Sequence, residues 1–353
     1  MAGKEGGIFL PNKENPDRED SGIHIFSLEG KPRNVGIIFS GHFFPGMGKE
    51  FGKSRTAEKI YRKAHQAVGY DIRDFSFDKG GSYLKPGISE IAAYVYNHIC
   101  YSLAGESPQF STPKVLAGRD IGFYNALVAS GAISFEEGLK LVIVEAENAR
   151  KMHDQYKGRL VAKTLETAKG RRKPKTLDKT INELKEKGFH VESVGPEGEI
   201  EIYSFSEIYE RNEKYLRRLE SHGTKVTSRR AERPTHLHTA SSPRILLEAL
   251  GKAKTKDAVI PVIAGTTGEL IQTELEIRQE IINQSLNMIR WDKVIETLEG
   301  RRQLDSLEMG HEGILSKARK NKKATVALIG VSAGVAFALA YGLHRFKTKK
   351  DDQ

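Results

Sequence analysis

The sequence predicts an α/β protein built on a parallel sheet, with a smaller domain inserted into it. Short apolar runs at 34–41 and 113–118 each end in glycine, which is typical of buried strands that lead into loops. Apolar residues at helical spacing follow these runs, at 88–104 and 122–130. Residues 158–233 then change to a charged pattern of strand, helix, strand, strand, helix and strand. The alternation outside this segment favours a parallel sheet.

The second apolar strand ends in the most informative turn of the sequence. The run PKVLAG passes directly through Gly118-Arg119-Asp120-Ile121-Gly122 into a helix. A strand, a tight glycine turn and a helix form the repeating unit of a parallel sheet. The frame of glycine, any residue, nucleophile, any residue and glycine also describes a nucleophile elbow, with Asp120 at the nucleophile position. A longer helix is predicted after it, over 133–156.

The charged segment reads as a βαββαβ unit, the ferredoxin-like or split-βαβ arrangement. After it the chain returns to an apolar strand at 258–265 and a helix over 274–300. We therefore predict four parts: a flexible N-terminal segment at 1–32, a large domain at 33–157 and 234–316, an inserted small domain at 158–233, and a C-terminal tail at 317–353.

The tail predicts a membrane anchor. Residues 324–343 are twenty consecutive residues without a charge, and a helix of that length rises about 30 Å, the hydrocarbon thickness of a bilayer. Basic residues flank the segment on both sides and can reach the headgroups. We expect a single-pass helix that leaves the cysteine-poor folded domain in the cytoplasm. Gly330 and Gly334 form a small-xxx-small pair, which favours packing of two such helices into a homodimer.

Charge and composition exclude several other functions. The net charge is +10, but residues 317–353 account for +7 of it, so the folded part carries no basic face for nucleic acid. Cys100 is the single cysteine, which excludes an internal disulfide and a cysteine-based zinc site. The histidines lack ligand spacing, and we predict neither a metal nor a cofactor.

Four segments together resemble the malonyl-CoA:acyl-carrier-protein transacylases and the polyketide acyltransferase domains. GRDIGFYNALVASGAISFEEGLKLV, at 118–142, is similar to the family segment that opens Gly-His-Ser-Leu-Gly-Glu. Residues 37–51 resemble the N-terminal Pro-Gly-Gln-Gly segment, 281–298 the late helix with Asn-x-x-x-Trp, and 307–320 the closing Glu-x-Gly-Pro-Gly stretch. The resemblance covers 33–320 and implies an α/β-hydrolase-like large domain with a ferredoxin-like insertion.

The family residues, transferred by position, point to altered chemistry. A serine is the nucleophile in the family, and Asp120 stands in its place. Arg119 replaces the neighbouring histidine, where it can pair with Asp120. The oxyanion glutamine corresponds to His42, and the second oxyanion donor to the backbone N–H of Ile121. Glu145 occupies the position of the arginine that pairs with a malonyl carboxylate, so this pocket should repel a dicarboxylic acyl group.

The catalytic histidine of the family has two candidates here, His236 and His238, in the segment RPTHLHTASSP. Each satisfies part of the family pattern, and the spacing to the strand at 260–262 slightly favours His236.

Two hypotheses follow. In the favoured one, the chain is a membrane-anchored, degenerate acyltransferase that has lost acyl transfer and binds an acyl carrier protein or acyl-CoA as a scaffolding partner in acyl or lipid metabolism. In the other, it is an active hydrolase or acyltransferase in which Asp120 is the nucleophile and His236 or His238 the base, as in haloalkane dehalogenases and epoxide hydrolases.

Overall fold

Two β-sheets organise the molecule. A computed structural model describes residues 35–41, 46–52, 54–77, 87–106, 110–156, 159–166, 174–229, 242–301, 305–309 and 326–329. Its strands are β1 (Val35–Phe39), β2 (Val115–Gly118), β3 (Leu160–Glu166), β4 (His190–Val194), β5 (Glu199–Phe205), β6 (Lys225–Arg229), β7 (Val262–Ile263), β8 (Leu270–Ile271), β9 (Ile289–Arg290), β10 (Asp305–Met309) and β11 (Val326–Ile329).

Helices cover both faces of the larger sheet and one face of the smaller sheet. A 3₁₀ turn spans Lys49–Phe51. The α-helices are α1 (Arg55–Val68), α2 (Ile72–Ser76), α3 (Ile88–Gly105), α4 (Gly122–Ala129), α5 (Phe135–Tyr156), α6 (Pro174–Glu186), α7 (Ser206–Arg211), α8 (Glu213–Ser221), α9 (Ser242–Lys252), α10 (Glu274–Leu286) and α11 (Trp291–Gly300).

The larger sheet has the strand order β11-β10-β1-β2-β7-β8. All its pairs are parallel except β7 with β8, which is antiparallel, so the sheet is mixed at one edge. In register, Phe39 of β1 lies between Gly118 of β2 and Met309 of β10. The carboxyl ends of three strands therefore meet at one edge, where open α/β sheets usually carry their sites.

Successive side chains of the strands point to opposite faces of the larger sheet, so the large domain has one hydrophobic core on each face. Ile37, Phe39 and Leu116 belong to the larger cluster, which the helices α1, α3, α4, α5, α9 and α10 complete. Ile38 and Val115 point the other way and pack with residues of α11. Because both faces are buried, these strands are apolar throughout, as a parallel sheet requires.

The smaller sheet has the order β6-β3-β5-β4-β9, and its first four strands are antiparallel. With α6 between β3 and β4, this is the strand order of a split βαβ unit. The second predicted helix is divided at Asn212 into α7 and α8. Ile200 and Ile202 of β5 alternate into a core that α6 and α8 cover.

The single helix predicted over 274–300 is wrong in its middle. Helix α10 ends at Leu286, β9 follows at Ile289–Arg290, and α11 begins at Trp291. Strand β9 pairs in parallel with β4 of the inserted domain, Ser193 opposite Ile289. This strand pairing, which the local sequence pattern does not indicate, interrupts the helix and connects the two domains.

Strands β10 and β11 were not expected from the sequence. β11 pairs in parallel with β10 at the sheet edge, with Ser306 opposite Val326. Residues 326–329 are thus a strand where the sequence predicts the start of a membrane helix at 324, because they can share hydrogen bonds with an exposed edge. The rest of 324–343, with Gly330 and Gly334, lies outside the described residues. Among the helices that the structure describes, none combines the length and apolarity of a bilayer span.

The end of β2 and the start of α4 are packed against β1 with no space for side chains. A Cβ atom on Gly122 would lie 2.3 Å from the Phe39 carbonyl oxygen, and one on Gly118 would lie 2.1 Å from the Gly122 carbonyl oxygen. Both neighbours are backbone atoms, which cannot move aside as a side chain can. These two positions therefore require glycine.

Trp291→Ala should lower the free energy of unfolding by about 3–5 kcal/mol. Trp291 is only 1% exposed, and removing its side chain leaves a cavity beneath the larger sheet. Trp291→Phe should cost clearly less, since the indole Nε1 donates no hydrogen bond to any described residue and its removal breaks none there. Urea unfolding followed by circular dichroism measures both. Leu275→Ala, at a residue 77% exposed, is the control and should change stability by less than about 0.5 kcal/mol. Equal losses for Trp291→Ala and Leu275→Ala would contradict this packing.

Gly122→Ala should destabilise the protein by at least about 3 kcal/mol, or prevent folding, because the new methyl group meets backbone on β1. Gly251→Ala is the matched control. Gly251 lies in α9 with no atom within 4 Å of its added Cβ, so alanine there should raise stability by up to about 1 kcal/mol. Thermal unfolding midpoints of the two variants test the difference. A Gly122→Ala protein as stable as the wild type would show that α4 does not press on β1.

Candidate functional site

The turn between β2 and α4 is a strained strand-to-helix corner with Asp120 at its apex. Asp120 has φ +48°, and within the described part of the chain it is the one non-glycine residue with positive φ. This left-handed conformation costs a non-glycine residue about 1 kcal/mol or more. A nucleophile elbow likewise places its nucleophile at a sharp, strained turn from a strand into a helix. The corner predicted from the sequence is therefore present, with its aspartate where the elbow presents a nucleophile.

Backbone hydrogen bonds hold the corner in place. Arg119 N–H donates to the Phe39 carbonyl at 2.9 Å, and Gly122 N–H donates to the Arg119 carbonyl at 2.8 Å. The loop after β1 comes equally close, since a Cβ on Gly41 would lie 2.6 Å from the Arg119 oxygen. The Ile121 N–H donates to no group in the described residues. It remains available as a backbone donor beside Asp120, the role that an oxyanion hole needs.

Arg119 links the corner to the inserted domain. Its Nε lies 3.7 Å from Asp120 Oδ2, and its Nη2 donates to Glu201 Oε2 at 3.2 Å. Ser193 Oγ donates to the same Glu201 oxygen at 2.7 Å. The side chains of Arg119, Asp120 and Glu201 are 18%, 27% and 17% exposed, so the guanidinium is held between carboxylates of two domains and is largely out of solvent.

Glu145 lies beside the helix that follows the corner. Tyr124, one turn into α4, donates its hydroxyl hydrogen bond to Glu145 Oε1 at 2.6 Å. Burial raises the pKa of the Tyr124 hydroxyl well above its usual value, and the charge of Glu145 and the hydrogen bond to it raise that pKa further. The phenol therefore stays a neutral donor that orients the carboxylate. This hydrogen bond holds the Glu145 carboxylate of α5 against α4.

Buried asparagine side chains form a hydrogen-bond network next to the corner. Asn97 Nδ2 donates to the Ser40 carbonyl at 2.6 Å and to Asn125 Oδ1 at 3.3 Å, and Asn125 Nδ2 donates to the Tyr94 carbonyl at 2.9 Å. These hydrogen bonds connect α3 and α4 to the residue that follows β1. They explain how a polar loop is held at the end of a buried strand without leaving its carbonyl unsatisfied.

The structure brings together Arg119, Asp120 and Ile121, which the sequence had nominated. Glu145, also nominated, is linked to α4 through the Tyr124 hydroxyl. The structure adds Glu201 and Ser193, which the sequence analysis missed. A signal was present: in GEIEIYSF the isoleucines alternate with charge, so Glu201 must face away from the core that Ile200 and Ile202 enter. Which surface it would meet could not be known without the packing of the two domains.

The three candidate histidines, His42, His236 and His238, lie outside the described residues, and their roles stay predictions. Among the described residues, no three histidine, cysteine or acidic side chains lie close enough together to hold a metal ion.

Comparisons with known proteins agree with this architecture. No family model matches the chain. The malonyl CoA-acyl carrier protein transacylase of Bacillus subtilis strain 168 is 22% identical over 316 residues, which cover 87% of this chain and 96% of that protein. The polyketide biosynthesis protein ThaF of Burkholderia thailandensis is 33% identical over 117 residues, 31% of this chain. The chain spans only about a tenth of the length of ThaF.

Solved structures of the same class superpose over most of the chain. The malonyl transacylase MCAT of Streptococcus pneumoniae matches with a TM-score of 0.73 and 20% identity, covering 85% of this chain and 97% of that one. A malonyl-transacylase in complex with a type II polyketide-synthase acyl carrier protein, PlMCAT:AntF, matches with a TM-score of 0.72, 20% identity and the same coverage. The chain thus has the fold of the malonyl-CoA:acyl-carrier-protein transacylases and is similar to them in sequence over most of its length.

Proposed function

We propose that this chain is a degenerate acyl-carrier-protein S-acyltransferase-like protein, which binds an acyl carrier protein or acyl-CoA at the Asp120 corner and does not transfer the acyl group. The observation that carries the proposal is the strained corner itself, with a carboxylate in the nucleophile position and a guanidinium 3.7 Å away. A carboxylate has no proton for a histidine to remove. It is also a much weaker nucleophile toward a thioester than the alkoxide of an activated serine.

Three features that suit ligand binding without a reaction support a binding role. They are the Ile121 N–H, the corner packed around Gly118 and Gly122, and the inserted domain opposite that corner. The partner class rests on the similarity to transacylases, one of which is seen with an acyl carrier protein. Because the fold and the chemistry of a site are separable, a scaffold of this kind can keep its ligand after losing its reaction.

The alternative is that Asp120 is a working nucleophile. The positive φ favours it, because strain of this kind is found where a side chain must be presented to a substrate. The carboxylate oxygen would attack the acyl carbon and the thiolate would leave, forming an acyl anhydride on Asp120 that water then hydrolyses. His236 or His238 would activate that water.

Mass spectrometry of the intact protein separates the two. After incubation with malonyl-CoA or propionyl-CoA, the wild type should keep its unmodified mass, because it lacks a thioester-reactive nucleophile. The double variant Asp120→Ser, Arg119→His should gain the mass of one acyl group if only the nucleophile was lost. Asp120→Asn is the control, since it keeps the size of the side chain and removes its charge. An acyl adduct on the wild type that disappears in Asp120→Asn would overturn the degenerate assignment and establish the alternative.

Membrane anchoring through 324–343 is a second part of the proposal. Its support is the uncharged, basically flanked sequence. The fourteen residues 330–343 that follow β11 would span only about 21 Å as a helix, short of the roughly 30 Å of a bilayer core. A full span therefore requires 326–329 to leave the edge of the sheet, so strand β11 and the anchor exclude one another.

The full-length chain should remain in the membrane pellet after carbonate extraction, because a spanning helix is not removed by high pH. A chain that ends at residue 323 should move to the supernatant. Full-length protein in the supernatant would leave β11 as the structural role of these residues and remove the anchor.

A further inference from the structure

In the described part of the site, a guanidinium lies between two carboxylates. Arg119 Nε lies 3.7 Å from Asp120 Oδ2, and Arg119 Nη2 donates to Glu201 Oε2 at 3.2 Å. Glu201 is the carboxylate that the sequence did not nominate, and it comes from the inserted domain.

The position of Glu201 follows from its strand. Ile200 and Ile202 enter the core of the small domain, so the residue between them must leave the other face of β5. Ser193 is paired in register with Glu201 and donates to its carboxylate at 2.7 Å. A carboxylate that is only 17% exposed is stable in such a place when it is paired, and Arg119 supplies the charge at 3.2 Å. The pair crosses from one domain to the other.

This pairing has a consequence for ligands. A guanidinium is the group that recognises a carboxylate, through two parallel N–H donors. In this chain one of those donors is already directed at Glu201, and the Nε side faces Asp120. A ligand that carries its own carboxylate would have to displace Glu201 or lie among like charges, whereas an uncharged acyl chain would do neither.

We propose that Glu201 is the specificity-determining residue of the site, and that the site takes thioesters of monocarboxylic acyl groups and rejects those whose acyl group bears a second carboxylate. The inference rests on the proposed binding function and names its ligand class. Glu201 acts by pairing with Arg119 from the opposite domain.

Calorimetric titration of the full-length protein with two CoA thioesters tests the proposal. Malonyl-CoA and 3-methylbutanoyl-CoA have similar acyl shapes, and methyl groups stand in the second where the first has carboxylate oxygens. Because the CoA part is common, the ratio of the two dissociation constants reports the acyl carboxylate alone. The wild type should bind 3-methylbutanoyl-CoA about tenfold or more tightly than malonyl-CoA.

Glu201→Gln should reduce that ratio by about tenfold, because it removes one negative charge and releases Arg119 toward the ligand. Glu166→Gln is the matched control. It makes the same charge change on β3 of the same sheet, at an exposed residue that pairs with Lys225, and should leave the ratio unchanged. If Glu201→Gln fails to fold, the wild type still provides a test, since its ratio should narrow as sodium chloride screens the repulsion.

The outcomes distinguish the role of Glu201 from the proposed binding function. Wild-type protein that binds both thioesters equally, or prefers malonyl-CoA, overturns the role of Glu201 and leaves the binding function standing. A ratio that Glu201→Gln does not move, or that salt does not narrow, also overturns it. Failure of the wild type to bind either thioester overturns the proposed binding function and the inference with it.

Discussion

The close approach of three backbone segments at one edge of the larger sheet is the constraint on which the site depends. The end of β1, the loop after it and the corner between β2 and α4 are packed so tightly that Gly41, Gly118 and Gly122 have no space for a Cβ atom. With its neighbours fixed in this way, the residue at the apex must accept a left-handed backbone. Asp120 does so at φ +48°.

The chemistry of the corner is decided by charges placed on this rigid frame. A serine there, next to a histidine, would be activated for attack on a thioester. Asp120, Arg119 and Glu201 instead form a chain of opposite charges that crosses from the large domain to the inserted one. The contact joins the corner to the inserted domain, and the pairing of β9 with β4 joins the two domains a second time.

The similarity to the transacylases lies in the overall fold. It extends over most of the chain at about one residue in five and reproduces the fold with a TM-score of 0.73. A fold is maintained by many buried apolar residues that tolerate exchange, whereas a reaction depends on a few groups in fixed positions. A protein can therefore keep the architecture of its relatives while its individual side chains differ.

What the sequence determined by itself were the features encoded by neighbouring residues. The apolar runs of β1 and β2, the helical spacing of α3, the glycine frame around Asp120 and the strand and helix order of the inserted segment are all local patterns. Each could be predicted because burial, period and turn chemistry act within a few residues.

The tertiary structure decided the features that depend on a distant partner. β9 interrupts a helical pattern because β4 offers it hydrogen bonds, and β10 and β11 are strands because the edge of the sheet lies beside them. Glu201 lies 82 residues from Arg119 in the sequence, and their ion pair exists because the folded domains meet there. Pairing between residues so far apart produces no periodic pattern in either segment. Only the folded structure therefore shows that the Glu201 carboxylate contacts the Arg119 guanidinium.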